Sequence, residues 1–196
     1  MSSLPINHVP NAVPARLKPE TARHRRSILA GVLGLAGLLS GCASTRPAPL
    51  PTVPAVDLAR YAGTWYEIAR TPNWFEAKCA GGVQAQYALE DGRVRVRNRC
   101  LTCDGTTTEA RGIARVVPGS GNAKLRVSFF WPFFGDYWIL ALDPGYQWAL
   151  VGEPSRRYAW ILARTPSLDA AALEETLARA AALGFDRNAF LFTRQP

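Results

Sequence analysis

From residue 64 onward, apolar and polar positions alternate in short runs with a period of two, the pattern of half-buried strands rather than helices. Residues 93–99 show it most clearly. Arg93, Arg95, Arg97 and Arg99 take one face, and Val94, Val96 and Asn98 take the other. Residues 83–89 precede them across Glu90-Asp91-Gly92, an Asp-Gly hairpin signal. With Asp91-Gly92 as the loop, Glu90 faces Arg93. Val83, Ala85 and Tyr87 then share the inward face of Val94, Val96 and Asn98. Further strands are expected at 64–70, 106–117, 124–130, 137–142, 146–151 and 158–164, with 188–193 as a candidate ninth. Trp131-Pro132-Phe133-Phe134-Gly135 breaks the pattern between two of them, and Asp143-Pro144-Gly145 and Glu153-Pro154-Ser155 mark turns. One helix is expected at 169–183, capped by Ser167 or Asp169, stopped by Gly184, with Leu173, Leu177 and Ala180 on one stripe. Eight meandering strands with one outer helix predict an all-β, up-and-down antiparallel barrel. A barrel of that strand number has room for one small ligand.

The front of the chain follows a different pattern. Arg25-Arg26 opens an apolar run that ends on Leu39-Ser40-Gly41-Cys42. A positive start, a short apolar stretch and a small-residue end make a secretory signal, too short for a comfortable membrane span. The closing tetrapeptide resembles a bacterial lipobox, which implies cleavage before Cys42 and lipidation of its thiol. Residues 1–41 are therefore expected to be a leader. Residues 42–56 carry four prolines, Pro47, Pro49, Pro51 and Pro54, and are expected to form an extended, semi-rigid tether. The domain proper is expected at 57–196.

Removing the leader leaves 155 of the 196 residues, one domain by length. Five basic residues and Glu20 go with it, so the formal charge falls from +8 to +4. The remaining arginines are scattered over short strands, with no basic helix, which argues against nucleic acid. Both histidines, His8 and His24, and the one methionine, Met1, are also lost. Ser-His-Asp chemistry, His-ligated zinc and His- or Met-ligated haem are thereby excluded, and no metal or cofactor is expected.

Gly63-Thr64-Trp65-Tyr66-Glu67-Ile68-Ala69-Arg70, after the short turn Asp57-Leu58-Ala59-Arg60-Tyr61, resembles the first-strand signature of the lipocalins. Gly135-Asp136-Tyr137 and Tyr158-Ala159-Trp160-Ile161-Leu162-Ala163-Arg164-Thr165-Pro166 are similar to the family's second and third motifs, in order. The resemblance runs from about Asp57 to the C-terminus and is greatest to the bacterial outer-membrane lipocalins. It implies that Gly63, Trp65 and Arg164 close one barrel end, with Arg164 stacked on Trp65. Tyr158, Trp160 and Leu162 share the face of Arg164 by the strand period, which puts Trp160 in the cavity wall. Phe134 matches a lipid-contacting mouth position of the relatives. Trp131, Phe133 and Phe134 would otherwise form a plug or a membrane-facing patch. Glu67, two residues after Trp65, is expected to face inward and to need a partner.

Beyond Cys42 there are three cysteines in an oxidising compartment, Cys79, Cys100 and Cys103. Proximity across the hairpin favours Cys79 with Cys103, whereas face parity favours Cys79 with Cys100. The resemblance implies Cys79–Cys100. The leftover thiol carries a rival reading, a lipid isomerase, since one lipocalin relative uses a barrel cysteine in that way. Such a thiol needs a nearby base or cation. A third class is a structural envelope protein without ligand. An open interior argues for binding, a filled one for structure, and a buried thiol beside a cation for chemistry.

The expectation is a non-enzymatic, lipid-anchored protein on the periplasmic face of the outer membrane. It would hold a fatty acid or lysophospholipid, with the tail along Val94, Val96, Val127 and Trp160 and the headgroup near Phe134, Gly135 and Tyr137, where few fixed charges are expected. The resemblance leaves room for a homodimer. Ala43 is not the aspartate that retains lipoproteins in the inner membrane. Cys42→Ala should therefore release the protein or trap it unprocessed. A variant that fractionates with the outer membrane like wild type contradicts the lipobox reading.

Overall fold

Asp57 begins the ordered barrel by capping a single helical turn, α1 (Leu58–Tyr61), its carboxylate accepting from the Ala59 and Arg60 N–H groups. The computed structural model describes residues 48–196, so the expected leader and Cys42 lie outside the described residues. Strands β1 (Gly63–Arg70), β2 (Cys79–Glu90), β3 (Arg93–Thr102), β4 (Thr107–Val116), β5 (Lys124–Phe130), β6 (Phe133–Leu142), β7 (Trp148–Gly152) and β8 (Ala159–Ala163) follow. Each pairs antiparallel with the next, and β1 pairs with both β2 and β8, closing the barrel. Helix α2 (Ala170–Ala182) is capped by Asp169, and a two-residue strand β9 (Leu191–Phe192) ends the fold. The ninth strand is shorter than expected because Arg187–Ala189 forms a 3-10 turn first.

The β2–β3 hairpin has the expected register, Glu90 opposite Arg93 through Gln84 opposite Arg99. Two irregularities then bring Cys79 opposite Thr102, and Cys79 is joined to Cys100 at a Cα separation of 5.6 Å. β1 and β2 part above Tyr66. The C-terminal segment fills that split. β9 pairs with Ala69 and Arg70, Gly82 N–H donates to Arg194 O, and Gln195 Nε2 donates to Glu67 O and Val83 O. Gly81 is required here, since a Cβ would stand 2.6 Å from Arg194 O.

Two apolar cores result. Outside, Leu177 and Ala180 of α2, with Phe185 just beyond it, cover β7 and β8 in one cluster with Leu150, Ala159 and Ile161. Inside, Trp65, Tyr87, Val94, Leu125, Ile139 and Leu162 fill the end where β1 begins. That end is sealed. Trp65 is fully buried, and its indole N–H donates to Tyr61 O at 2.8 Å. The Arg164 guanidinium lies 3.9 Å from the Trp65 ring centroid. It donates to Thr64 O, Arg60 O and Tyr146 O. Gly63 sits beside it at φ +101°, a conformation glycine adopts without strain.

Residues 48–56 are not a free tether. Leu50 and Val56 are buried, Val53 N–H donates to Ile139 O, and Val56 N–H donates to Gly121 O. Their prolines leave few backbone N–H groups to satisfy, and the apolar residues between them pack on the wall. Trp65→Ala should cost about 3–5 kcal/mol in chemical denaturation. Arg164→Ala should cost less, through lost stacking and three lost hydrogen bonds. A loss below about 1 kcal/mol for Trp65→Ala contradicts the seal.

Candidate functional site

Strand direction sets which residues meet inside. The sealed end holds the β2–β3, β4–β5 and β6–β7 turns. The opposite end, the mouth, holds the long β1–β2 loop and the β3–β4, β5–β6 and β7–β8 turns. Register places Val96, Asn98, Gly112, Val127, Phe129, Gly135, Tyr137, Val151 and Trp160 on the inner face.

The lower half is filled. Tyr137 Oη lies 2.8 Å from Tyr61 Oη and 2.9 Å from Tyr87 Oη, a chain of three buried hydroxyls. Burial pushes the phenol pKa of Tyr61, Tyr87 and Tyr137 upward, so all three stay neutral. The space between them and Val94, Ala114, Leu125 and Val127 measures about 10 Å³, room for about one water. The upper half differs. A Cβ added at Gly135 would meet nothing within 4 Å. Asn98 Oδ1 is buried without a hydrogen-bond partner, an acceptor available to a ligand donor.

Polar groups gather on one side of this upper interior. Arg70 donates to Glu67 Oε1 at 3.0 Å, and its Nε lies 3.1 Å from Glu76 Oε2 without an aligned hydrogen bond. Trp160 Nε1 donates to the same Glu76 oxygen at 3.4 Å. Thr193 from the C-terminal segment donates to Glu67 through a short hydrogen bond. Burial pushes the Glu67 carboxyl up to about 7, and the nearby Glu76 charge adds to this. Thr193 and Arg70 oppose it. Phe75 and Tyr158 stand over Trp160, their ring centroids 6.3 and 6.4 Å from its own.

Several expected site residues lie elsewhere. The expected break at 131–135 is a turn of only two residues, Trp131-Pro132, so β6 already begins at Phe133. Tyr137 is therefore four residues down the strand, roughly 13 Å from the mouth turn, and Val94 sits beside it in the filled half. Phe134 alternates with the inward Gly135 and faces outward. Its ring packs between Arg115 and Arg126, at 5.3 and 5.6 Å, beside an outer-wall hollow of about 220 Å³. Phe134 thus stands apart from the cavity wall. Trp160, Val96 and Val127 do face the interior, and Tyr158 sits at its rim. The expectation of few fixed charges is also corrected, by Glu67, Arg70 and Glu76. Glu67 and Arg70 are three apart and would fall on opposite faces of a regular strand. An irregularity between Glu67 and Ala69 resets the alternation and brings them together. Period-two reading carries no signal for that bulge. The leftover thiol, Cys103, is exposed on the β3–β4 turn, outside the barrel, so the isomerase geometry does not arise at it.

The raised Glu67 pKa makes a linkage prediction. Between the ordinary carboxyl value and about 7, the unfolded chain has released the Glu67 proton while the folded chain retains it. The native state then binds more protons, so stability falls as pH rises through that window and levels above it. Glu67→Gln should flatten this decline in denaturation curves from pH 4 to 8. An unchanged slope contradicts the buried carboxyl's role.

A lipocalin-like domain model matches residues 56–195. The outer membrane lipoprotein Blc of Escherichia coli (strain K12) is 42% identical over 162 residues, covering 81% of this chain and 91% of that protein. Temperature-induced lipocalin-1 of Arabidopsis thaliana is 37% identical, covering 72% and 81%. Apolipoprotein D of Macaca fascicularis is 38% identical, covering 72% and 78%. Among solved structures, insecticyanin from the tobacco hornworm Manduca sexta superposes with a TM-score of 0.61 at 21% identity, covering 74% of this chain and 85% of its own, a likeness of fold. The matched signature strand, the closed eight-stranded barrel and these relatives agree: the chain belongs to the lipocalin family.

Proposed function

We propose that this protein is a lipid-anchored lipocalin of the outer membrane that holds one single-chain lipid, a fatty acid or lysophospholipid, in the upper half of its barrel for storage or transfer at the envelope. The observation that carries the reading is the contrast between the two halves. The lower half is closed by the tyrosine chain, while at Gly135, opposite Val127 and near the mouth, a Cβ would meet nothing within 4 Å. The relation to lipoproteins named for the outer membrane supports the location, and Cys42 supplies the anchor.

Magnitudes limit the ligand's grip. A buried methylene contributes ~0.8 kcal/mol, so burying about eight of a ligand's methylenes would give on the order of 6 kcal/mol before ordering costs. Micromolar affinity needs about 8 kcal/mol net. Polar contacts must supply the difference, and Asn98 Oδ1 and the Glu67–Arg70–Glu76 cluster are the groups placed to do so. Arg70 is already engaged by Glu67 and Glu76, and Asn98 Oδ1 is an unpartnered acceptor, so a head that carries a donor is favoured over a bare carboxylate.

Titrating delipidated protein with lysophospholipid or fatty acid while following tryptophan emission tests this. Saturable quenching at micromolar ligand is expected, reduced in Trp160→Phe. No quenching at tens of micromolar, with the barrel folded by circular dichroism, sinks the proposal and leaves a structural envelope role.

A further inference from the structure

Large apolar side chains exposed on the described residues are not spread evenly. There are nine, and eight lie at the mouth end of the barrel; Leu89, near the β2–β3 turn, is the exception. Four of the eight are aromatic and more than three-quarters exposed: Trp74 on the β1–β2 loop, and Phe130, Trp131 and Phe133 around the β5–β6 turn. Phe75 joins them at 41%. Two separate loops thus raise aromatic side chains around one opening, and water is a poor environment for such a cluster. Charges at this end are mixed. Lys78, Arg156 and Arg157 on the mouth loops stand against Glu76, Asp104 and Glu153, and Asp104 and Glu153 are tied into their own turns.

The path of the N-terminal segment adds a second, independent observation. Ala48 O accepts from Arg156 Nη2 on the β7–β8 turn, at the mouth. From there the segment descends the wall through Leu50 and Val53 and meets Gly121 and Asn122 at the sealed end. The chain therefore enters the described fold at mouth level. Cys42 is six residues before Ala48. Fully extended, six residues reach at most ~20 Å. β3 has 10 residues, so the barrel wall is roughly 25 Å tall at an ordinary strand rise and tilt. An anchor at Cys42 cannot extend past the sealed end.

We infer that the mouth faces the membrane, with the aromatic rim of Trp74, Phe130, Trp131 and Phe133 seated in the lipid surface to which Cys42 is anchored. The inference rests on the anchored reading of Cys42 given above. Trp and Phe at a rim suit the interface between headgroups and acyl chains. The mixed charges make seating independent of anionic lipid. A lipid entering or leaving the upper cavity would then pass from bilayer to barrel without crossing open water.

The test uses the full chain, expressed and processed in a bacterial host and reconstituted into phosphatidylcholine vesicles, with and without bromine on the acyl chains. Brominated lipid should quench a substantial fraction of tryptophan emission. That fraction should fall at least twofold in Trp74→Phe/Trp131→Phe, and change little between low and high salt. These are exposed positions and conservative replacements, so the barrel should keep its circular dichroism. Equal quenching in wild type and the double variant overturns the inference. If Trp160→Phe alone removes the quenching, lipid has entered the barrel while the rim stays dry: the inference fails and the binding proposal stands. If the rim is dark to brominated lipid and sedimentation in detergent shows a dimer that Trp131→Ser/Phe133→Ser dissolves, the rim joins two copies instead, and the inference is again overturned.

Discussion

The stacking of Arg164 on Trp65 is the constraint on which the rest of the barrel depends. A guanidinium brought into a partly buried position over an indole ring needs its donors satisfied. Here the backbone carbonyls of Arg60, Thr64 and Tyr146 do this, from the turn before β1, from β1 itself and from the β6–β7 turn. One side chain from the end of β8 therefore ties the α1–β1 stretch to the β6–β7 turn. Trp65 fills the space beneath, and its own N–H is satisfied by Tyr61 O. With that end closed, ligand access is confined to the other.

Sealing one end also explains the division of the interior. Tyr61 is carried on α1, which the seal holds in place, and its hydroxyl meets Tyr137, which meets Tyr87. Three phenols in an apolar interior are tolerable because each hydroxyl has a partner. They raise the barrel floor by about half its depth. What lies above is shaped by the C-terminal segment, which substitutes for the missing β1–β2 pairing and brings Thr193 to Glu67. The mouth-side chemistry, Glu67 with Arg70 and Glu76, thus depends on residues at both ends of the domain.

The outer surface follows the same polarity. The strand faces that turn outward on β3 carry Arg93, Arg95, Arg97 and Arg99, some of them paired with Glu90 and Glu109. These exposed pairs are worth little in stability, but they keep the wall soluble. Apolar exposure is concentrated at the mouth instead. The segment from Ala48 to Val56 runs from the mouth to the sealed end, so the chain enters the described fold at the same end as the aromatic rim.

The sequence by itself determined most of the elements, the hairpin register and, through its motifs, the family and the seal that the family implies. Each rests on local rules: the period of two in 93–99, the Asp-Gly turn, the Asp169 cap, and the Gly63–Arg70 signature. Trp65 and Arg164 were legible because both lie in motifs. Trp160, Val96 and Val127 were legible as inward residues because strand parity holds over short distances. Only the tertiary structure decided the depth and contents of the cavity. Whether Tyr137 sits at the mouth or the floor depends on the length of one turn, and two residues instead of five moved it down and turned Phe134 outward. The meeting of Glu67 and Arg70 depends on a bulge, which breaks the parity that sequence reading assumes. The prolines of 48–56 marked an extended segment, but where an extended segment lies is decided by the groove it packs into, and that groove exists only once β5 and β6 have paired.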